Sequence, residues 1–344
     1  MTSVTFGLFD WLDRKAGPVQ DLYEERLRLV EIADDLGFYC YHSAEHHGTP
    51  LGMAPSPSVF LAAVSQRTKN IRFGPLCYLL PLYEPLRLIE EICMLDHLSG
   101  GRFELGVSRG VSPYELAHYN VDYTNTRPIF DEALAILIKG MTEESLSFHG
   151  EYFHYDNVPM EIHPLQKPYP PLWYPTHNPD SMGYIAENGF HYVGLGPSHQ
   201  VRKNVDKYWE IWAQHKSDPT RINAHVTAPK VGVNRQIVIA ETDAEALALT
   251  QKAHAGWYYS ITKLMHDHNN DRDDALFNWD SATKHKTILF GSPDTVRADM
   301  QELVETSGCN YVICAFSWGD LSFEESARSM RLFADEVIPA FTAS

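Results

Sequence analysis

The sequence predicts an α/β protein, a (β/α)8 TIM-type barrel with insertions. Short β-rich runs alternate about eight times with longer runs of helical period in 344 residues, and this alternation is typical of parallel strands joined by helical crossovers. The length also fits, because single α/β barrels often reach ~250 residues or more. A doubly wound open sheet is the alternative. However, residues 10–14 after the first strand contain no Gly-rich dinucleotide loop, and the chain has no P-loop.

The first four strand–helix pairs follow from local patterns. A β-rich run is followed by apolar side chains at helical spacing, and Gly37 ends that first helix. Pro57 stands near the start of the second helix, where its missing N–H costs little. The glycines at 100 and 101 close the third helix. The predicted strands here are residues 4–9, 38–42, 71–80 and 102–107, and the predicted helices are residues 22–36, 56–68, 85–98 and 127–141.

The second half of the chain repeats the alternation with longer interruptions. The predicted strands are residues 172–175, 192–195, 232–240 and 311–315, and the predicted helices are residues 181–188, 201–215, 243–262 and 324–337. We therefore expect one barrel domain over residues 1–344, with insertions at about 149–171 and 256–291.

The two insertions differ in composition. Residues 149–171 are rich in proline and aromatic residues, which favours a fixed excursion over the barrel surface. Residues 256–291 contain the polar run DHNNDRDD at 267–274. A segment with so little apolar surface to bury suits a mobile lid, and a solvated surface loop is the alternative.

Composition excludes several classes of protein. Hydrophobic residues make up 44% and charged residues 21%, as in globular proteins. The net charge is 28 − 45 = −17, which argues against a nucleic-acid surface. Five cysteines without a CxxC pair indicate no disulfide framework, and a reducing cytoplasm is expected. We expect no signal peptide and no membrane span, because no charged n-region and no run of ~18 apolar residues occurs.

Candidate site residues are the polar side chains just after the strands, because active sites of such barrels lie at the C-terminal strand ends. The densest cluster is Glu45-His46-His47. Adjacent side chains of an extended chain point to opposite faces, so the two histidines are poorly placed to share an ion, and we predict no catalytic metal. We expect one imidazole to face the pocket as acid, base or hydrogen-bond donor. A histidine packed at the rim is the alternative.

Two further strand ends could bind an anion. Arg109 follows the fourth strand, and Gly110 beside it allows close backbone approach. Residues 176–181 join the fifth strand to a helix with small hydroxyl and amide side chains, which cap a helix and can also build a phosphate site. A rim ion pair and a plain N-cap are the alternatives. Two such features on one face favour phosphate.

Aromatic residues make up 12% of the chain. Many fall in the proposed loops, including Trp11, Trp257 and Trp318. An aromatic-lined mouth suits a planar cofactor or an apolar substrate.

Several sequence motifs occur in the order found in the bacterial luciferase-like flavin-dependent monooxygenases, and the chain resembles that superfamily over nearly its whole length. The run LDHLSGGRFELGV at 95–107, with Glu45-His46-His47 upstream, is the most specific feature. The other shared pieces are residues 68–74, 80–81, 108–110, 150–153, 170–173 and 336–339.

The resemblance implies an enzyme that binds reduced FMN and O2 and inserts one oxygen atom into a small organic substrate. His46 would be the pocket histidine that assists the oxygen chemistry. The flavin would be held by Leu76, Cys77, Ser108, Arg109, Val111, Thr176, His177, Asn178 and Ser181. Relatives carry a strained backbone link at the position of Leu76 and Cys77, and some carry a reactive cysteine in place of Ser108. The pair His177-Asn178 replaces the Ser or Glu-Ser common in the family.

The resemblance also implies partners and alternatives. A separate NAD(P)H:flavin reductase would supply FMNH2, and a homodimer formed through barrel helices is expected, with no nucleic-acid or membrane partner. The alternatives are an F420-dependent oxidoreductase of the same superfamily and a non-catalytic flavin-binding subunit. A zinc hydrolase is disfavoured by ligand spacing. The substrate could be an alkane, a sulfonate, an amine chelate or an aromatic compound.

Overall fold

The computed structural model describes residues 4–270 and 277–341. Its strands are β1 (Thr5–Asp10), β2 (Cys40–Ser43), β3 (Arg72–Pro75), β4 (Tyr78–Leu79), β5 (Leu105–Ser108), β6 (Ser145–His149), β7 (His154–Pro159), β8 (Leu172–Pro175), β9 (His191–Gly194), β10 (Val231–Ile239), β11 (Ile288–Gly291) and β12 (Tyr311–Ala315). Its α-helices are α1 (Val19–Asp35), α2 (Pro57–Arg67), α3 (Pro85–Ser99), α4 (Pro113–His118), α5 (Thr126–Thr142), α6 (Met182–Glu187), α7 (Ser198–His215), α8 (Asp243–Asp267), α9 (Trp279–Lys284), α10 (Pro293–Ser307) and α11 (Phe323–Leu332).

The predicted barrel is confirmed. Its strands pair in parallel in the order β3-β2-β1-β12-β10-β9-β8-β5-β4, and a parallel bridge between Phe73 and Phe103 nearly closes the ring. The barrel thus has eight strand positions, which are β1, β2, β3 with β4, β5, β8, β9, β10 and β12. The seventh position, β10, is four steps from the third in either direction and lies opposite it.

Local sequence explains where the helices begin and end. Pro85 opens α3, and Gly100 ends it in the left-handed region with a φ of 68°. A capping box opens α11, because Ser322 accepts from the Glu325 N–H while the Glu325 carboxylate accepts from the Ser322 N–H. These signals place the helices between successive strands on the outside of the barrel.

Several elements differ from the predictions. The strand predicted over residues 71–80 divides into β3 and β4 at Leu76 and Cys77, which are joined by a cis peptide bond. The strand β11 and the helix α10 were not predicted, and β11 pairs with the end of β10. The first insertion contains β7, which forms an antiparallel hairpin with β6. The helix predicted to end at residue 262 continues to Asp267.

The polar run at 267–274 lies partly outside the described residues, so the lid interpretation stays a prediction. No helix in the described ranges is long and apolar enough to cross a membrane. All five cysteines are free thiols and buried.

The N-terminal end of the barrel is filled by a buried polar cluster. Glu104 is fully buried and accepts hydrogen bonds from Tyr39 Oη at 3.0 Å and Trp173 Nε1 at 2.6 Å. It also forms an ion pair with Arg72. Lys230 Nζ lies 4.0 Å from the centroid of the Tyr39 ring. Because each polar group has a partner, this end is closed without an apolar plug.

One layer higher, an aromatic pair crosses the barrel axis. His42 Nε2 and Tyr311 Oη lie 2.9 Å apart, and both residues are fully buried. Gly7 makes room for this pair, since a Cβ at that position would lie 2.0 Å from Tyr311 Oη. The candidate site residues lie above these rings, at the C-terminal strand ends.

Candidate active site

His46 lies at the barrel mouth, held by a carboxylate from another loop. His42 faces the barrel interior, so alternation along the chain directs Ala44 and then His46 inwards as well. His46 Nδ1 lies 3.1 Å from Oε1 of Glu115. Glu115 belongs to α4, and its N–H donates to the capping side chain of Ser112 at 3.3 Å. The ring nitrogen Nε2 makes no hydrogen bond among the described residues, so it remains available to a ligand.

The His46–Glu115 pair changes the acid–base behaviour of both groups. Burial disfavours the charged form of His46, but the neighbouring Glu115 carboxylate outweighs it, and the pKa of His46 is raised. Burial likewise opposes ionisation of Glu115, yet its contacts with His46 and the His47 N–H lower its pKa. An ionised Glu115 that accepts from Nδ1–H favours the imidazolium at this site.

His47 has a different environment and both of its ring nitrogens are engaged. Nε2 lies 2.8 Å from Glu45 Oε1, and Nδ1 lies 2.8 Å from Tyr119 Oη. Glu45 Oε2 accepts from the Leu79 N–H at 3.1 Å and from Tyr83 Oη at 2.9 Å. Burial raises the pKa of Glu45 despite these partners. His47 and Glu45 therefore fix the second strand position to the third, and His46 is the histidine with a free ring nitrogen.

The third strand position contributes Leu76 and Cys77 at the cis peptide bond. Both side chains are buried, and Leu76 belongs to the same buried cluster as Trp173 and Ile313. Burial raises the pKa of the Cys77 thiol to about 12, although a hydrogen bond with Ser108 opposes the increase. Cys77 is therefore a protonated thiol at neutral pH. Ser108 lies beside it at the end of the fourth strand position.

Arg109 is an uncompensated cation at the mouth. Its guanidinium carbon lies 5.8 Å from the centroid of the Tyr123 ring. No carboxylate among residues 4–270 and 277–341 pairs with it. Gly110 next to it has a φ of 84°, which a side chain would disfavour, and its N–H donates to Ser108 Oγ at 3.2 Å. Val111 follows with 67% of its surface exposed. An arginine without a partner is suited to bind an anion.

The turn at residues 176–181 follows β8, which neighbours the strand that precedes Arg109. Because β5 and β8 pair in parallel at Gly106 and Trp173, Arg109 and this turn leave the barrel at the same end. Within the turn, Thr176 Oγ1 accepts from the Asn178 N–H at 3.0 Å.

Asn178 Oδ1 in turn accepts from the Asp180 N–H at 3.0 Å and caps a short 3-10 helix, Pro179–Ser181. This capping role accounts for Asn178. In contrast, His177 and the Ser181 hydroxyl make no hydrogen bond in the described part of the chain, so they remain available for a ligand.

An aromatic wall closes the other side of the mouth. We call Trp11, Trp257 and Trp318 the tryptophan cluster. The ring centroids of Trp11 and Trp257 lie 5.6 Å apart, and those of Trp257 and Trp318 lie 6.5 Å apart. Phe9 packs edge-on against Trp11 at 4.8 Å. The buried indole N–H groups of Trp257 and Trp318 have no hydrogen-bond partner in the part of the chain that the structure describes. All three indole rings are buried and form an apolar, aromatic boundary on this side.

Sequence reasoning missed three side chains in this region. Glu115 stands three residues after its cap Ser112, and this S-x-x-E spacing marks a helix start. Asn234 and Gln236 lie inside the buried strand β10, where polar side chains are unusual. None of the three directly follows a strand, which is where polar site residues were expected. In the described ranges, no three His, Cys, Asp or Glu side chains come together in a metal-binding arrangement.

Comparisons with known proteins define the class of this barrel. A model of the luciferase-like monooxygenase family matches residues 4–310, so the chain belongs to this family and is an oxidoreductase of the flavin-dependent monooxygenase class. Protein y4wF of Sinorhizobium fredii, which is uncharacterised, is 36% identical over 98% of this chain and 97% of its own length. The oxygenase component of flavin-dependent trigonelline monooxygenase from Acinetobacter baylyi is 24% identical over 98% and 96%.

Solved structures share the fold. Monooxygenase RslO1 from Streptomyces bottropensis is 27% identical with a TM-score of 0.85, covering 98% of this chain and 100% of its own. The oxygenating constituent of 3,6-diketocamphane monooxygenase from Pseudomonas putida, in complex with FMN, is 21% identical with a TM-score of 0.79 over 99% and 100%. An F420-dependent tetrahydromethanopterin reductase from Methanopyrus kandleri is 17% identical with a TM-score of 0.72 over 99% and 100%.

Proposed function

We propose that this chain is the oxygenase component of a two-component monooxygenase, which uses reduced FMN and O2 to insert one oxygen atom into a small organic substrate. One observation carries the proposal: His46, held by Glu115, and the unpaired Arg109 follow the second and fourth strand positions at the same barrel mouth. An acid–base group and an anion-binding group so placed suit a phosphorylated redox cofactor.

The residues present fit FMN. Arg109 would bind the phosphate, with Ser181, Thr176 and His177 of the neighbouring turn in support. Arginine can bind phosphate through two parallel hydrogen bonds, which would hold the cofactor in position and offset its negative charge. Val111 and Asn178 would flank these groups. Asn178 would act indirectly, by capping the short helix that holds the turn in place.

The planar ring system would lie against Leu76 and Cys77, beside Ser108. These side chains are apolar or uncharged, because burial keeps the Cys77 thiol protonated. When bound, reduced FMN would supply the electrons that activate O2 for transfer of one oxygen atom. His46 would hold a proton at Nε2 for this chemistry, since Glu115 occupies Nδ1 and raises the pKa of the ring. The tryptophan cluster would exclude water.

Several finer features belong to the proposal. A separate NAD(P)H:flavin reductase would deliver FMNH2, as the name of the trigonelline relative, an oxygenase component, suggests. Such a reductase draws on the NAD(P)H pool and favours a cytoplasmic location. A homodimer and a single domain over residues 1–344 remain part of the proposal.

Anaerobic titration with FMNH2 tests the function directly. We expect FMNH2 to bind and, after an O2 pulse in a stopped-flow instrument, the absorbance of oxidised flavin to appear later than it does for free FMNH2. A flavin that is not bound, or that reoxidises at the rate of the free cofactor, would contradict the proposal.

F420 is the second candidate cofactor, because an F420-dependent enzyme shares the fold. The same titration performed with reduced F420 in place of FMNH2 separates the two. Binding of F420 without binding of FMNH2 would assign hydride transfer to the site instead of oxygen insertion.

A further inference from the structure

Two buried amide side chains face the barrel interior on the seventh strand position. Gly232 of β10 is directed inwards, since a Cβ there would lie 3.0 Å from the Cβ of Tyr311, an interior residue. Side chains alternate along a strand, so Asn234 and Gln236 face the interior too. The seventh position lies opposite the third, which carries Leu76.

The strand register places the two amides along the barrel axis, just below the mouth. Asn234 is aligned with Ile313 of β12, and Ile313 belongs to the same buried cluster as Leu76. Gln236 is aligned with Ala315, one layer nearer the mouth. Ala315 has a small side chain on the β12 side of Gln236, whereas Ile288 of β11 is aligned with Gln236 on the other side.

The nitrogen of each amide is buried without a partner. Asn234 is 7% and Gln236 is 4% exposed, and Nδ2 and Nε2 make no hydrogen bond to any group in residues 4–270 and 277–341. A buried amide without a partner destabilises the folded state, so native proteins seldom retain one without a reason. Two such groups, two residues apart on one inward face, indicate a site where a ligand supplies the missing hydrogen bonds.

The chemistry around the amides is neutral and aromatic. The inward residues of β10 from Gly232 to Val238 carry no charge, and Arg235 lies on the other face, where Nη2 donates to Ser198 Oγ at 3.0 Å. A carboxylate or sulfonate would lose its water here without gaining a counter-charge. Val238 packs in one buried cluster with the tryptophan cluster. Flat apolar walls suit a ring.

We propose that Asn234 and Gln236 form the site that orients the substrate, and that the substrate is a neutral, ring-containing molecule whose carbonyl or hydroxyl oxygen binds these amides. The inference rests on the proposed function, because it places the substrate between β10 and a flavin bound against Leu76. It selects neutral oxygenated rings over the alkanes and sulfonates that the sequence leaves open.

Three matched probes test this chemistry by isothermal titration calorimetry without flavin. They are 1-tetralone, the hydrocarbon tetralin and the anion tetralin-1-carboxylate, which share one bicyclic skeleton. We expect 1-tetralone to bind about tenfold more tightly than tetralin, the gain of one or two hydrogen bonds, and the anion to bind most weakly. Equal affinities of 1-tetralone and tetralin, a preference for the anion, or no binding by any probe would overturn the proposal.

Near-isosteric variants assign the preference to the two amides. We expect Asn234→Leu and Gln236→Met each to reduce the advantage of 1-tetralone over tetralin, and the double variant to abolish it. The variants should fold, because they replace unpaired polar groups with apolar groups of similar shape. Gln214→Met on the exposed face of α7 is the matched control. An unchanged preference in the double variant would contradict the assignment.

Failure of the proposed function would look different. If the wild-type protein binds 1-tetralone selectively but does not bind FMNH2, the substrate-site proposal stands and the proposed function fails. If it binds FMNH2 but shows no selectivity among the probes, the proposed function stands and the substrate-site proposal fails.

Discussion

His46 Nδ1 and Glu115 Oε1 lie 3.1 Å apart although the two residues are separated by 69 positions in the chain. The contact joins the loop after the second strand position to the helix after the fourth. It occupies one ring nitrogen and leaves the other for a ligand, so Glu115 sets both the orientation and the charge of the imidazole.

Removing the charge of Glu115 should lower the pKa of His46. We expect Glu115→Gln to shift the His46 titration to lower pH, because the amide still accepts a hydrogen bond but no longer attracts the imidazolium. Titration of the His46 ring signals by NMR measures the shift. Glu187→Gln on the exposed face of α6 is the control. A variant whose His46 titrates as in the wild type would show that Glu115 does not tune this ring.

The same pair should make stability depend on pH. The pKa of His46 is raised from 6.5, so its contribution is present below that value and is lost as the pH rises through the folded pKa. The pKa of Glu115 is lowered from 4.5, so its contribution is present above that value and is lost as the pH falls through the folded pKa. Urea unfolding should therefore show a larger loss for Glu115→Gln at about pH 6 than at about pH 8.5. Equal losses would argue against an ion pair.

Arg109 should recognise the phosphate of the cofactor. We expect Arg109→Ala to weaken FMN binding about 10- to 100-fold, the value of a charge-assisted hydrogen bond or two. Riboflavin lacks the phosphate, so its affinity should change little. Fluorescence titration with both flavins measures the difference, and Arg87→Ala on the exposed face of α3 is the control. A similar loss for riboflavin would assign Arg109 a structural role.

Gly7 should tolerate no side chain. The Cβ of Gly7→Ala would lie 2.0 Å from Tyr311 Oη, and we expect a loss of about 1–3 kcal/mol in the free energy of unfolding, as for other overpacked cores. Gly183→Ala in α6 meets nothing within 4 Å and should be neutral or stabilising. Tyr311→Phe removes the hydroxyl, so the cost of Gly7→Ala should fall in that background. An unchanged cost would place the strain elsewhere.

The five cysteines should be unreactive in the native protein. All are buried, and the pKa of Cys77 is raised to about 12 by burial, so little thiolate forms near pH 8. Ellman's reagent should therefore detect no fast-reacting thiol before denaturation and all five afterwards. Ser217→Cys adds an exposed thiol as a positive control. Rapid labelling of Cys77 in the native protein would contradict its burial.

Much of the fold could be predicted because each strand carries its own local signal. The strands predicted over residues 172–175 and 311–315 match β8 and β12 residue for residue, since short apolar runs bounded by loop residues identify buried strands. The strand β11 was missed because Ile288–Gly291 lies in a stretch dominated by polar residues. Its pairing with β10 is a tertiary contact that no local pattern contains.

The site likewise contains residues that local sequence could reveal and residues that it could not. His46 and Arg109 could be found because they follow strands, and in a barrel all strand ends meet at one mouth. Glu115 could not be assigned to His46, since nothing local links positions 69 residues apart. Asn234 and Gln236 lie within β10, where only the inward direction of their side chains gives them significance.

The filled N-terminal end of the barrel restricts the entry of ligands from that side. Glu104 and its partners close one end, and the His42–Tyr311 pair closes the layer above. A ligand that reaches the interior would therefore enter at the opposite end, where the strands end and the candidate site residues lie. A substrate bound by Asn234 and Gln236 and a flavin held against Leu76 would both enter from this mouth, so each would narrow the path that is left to the other.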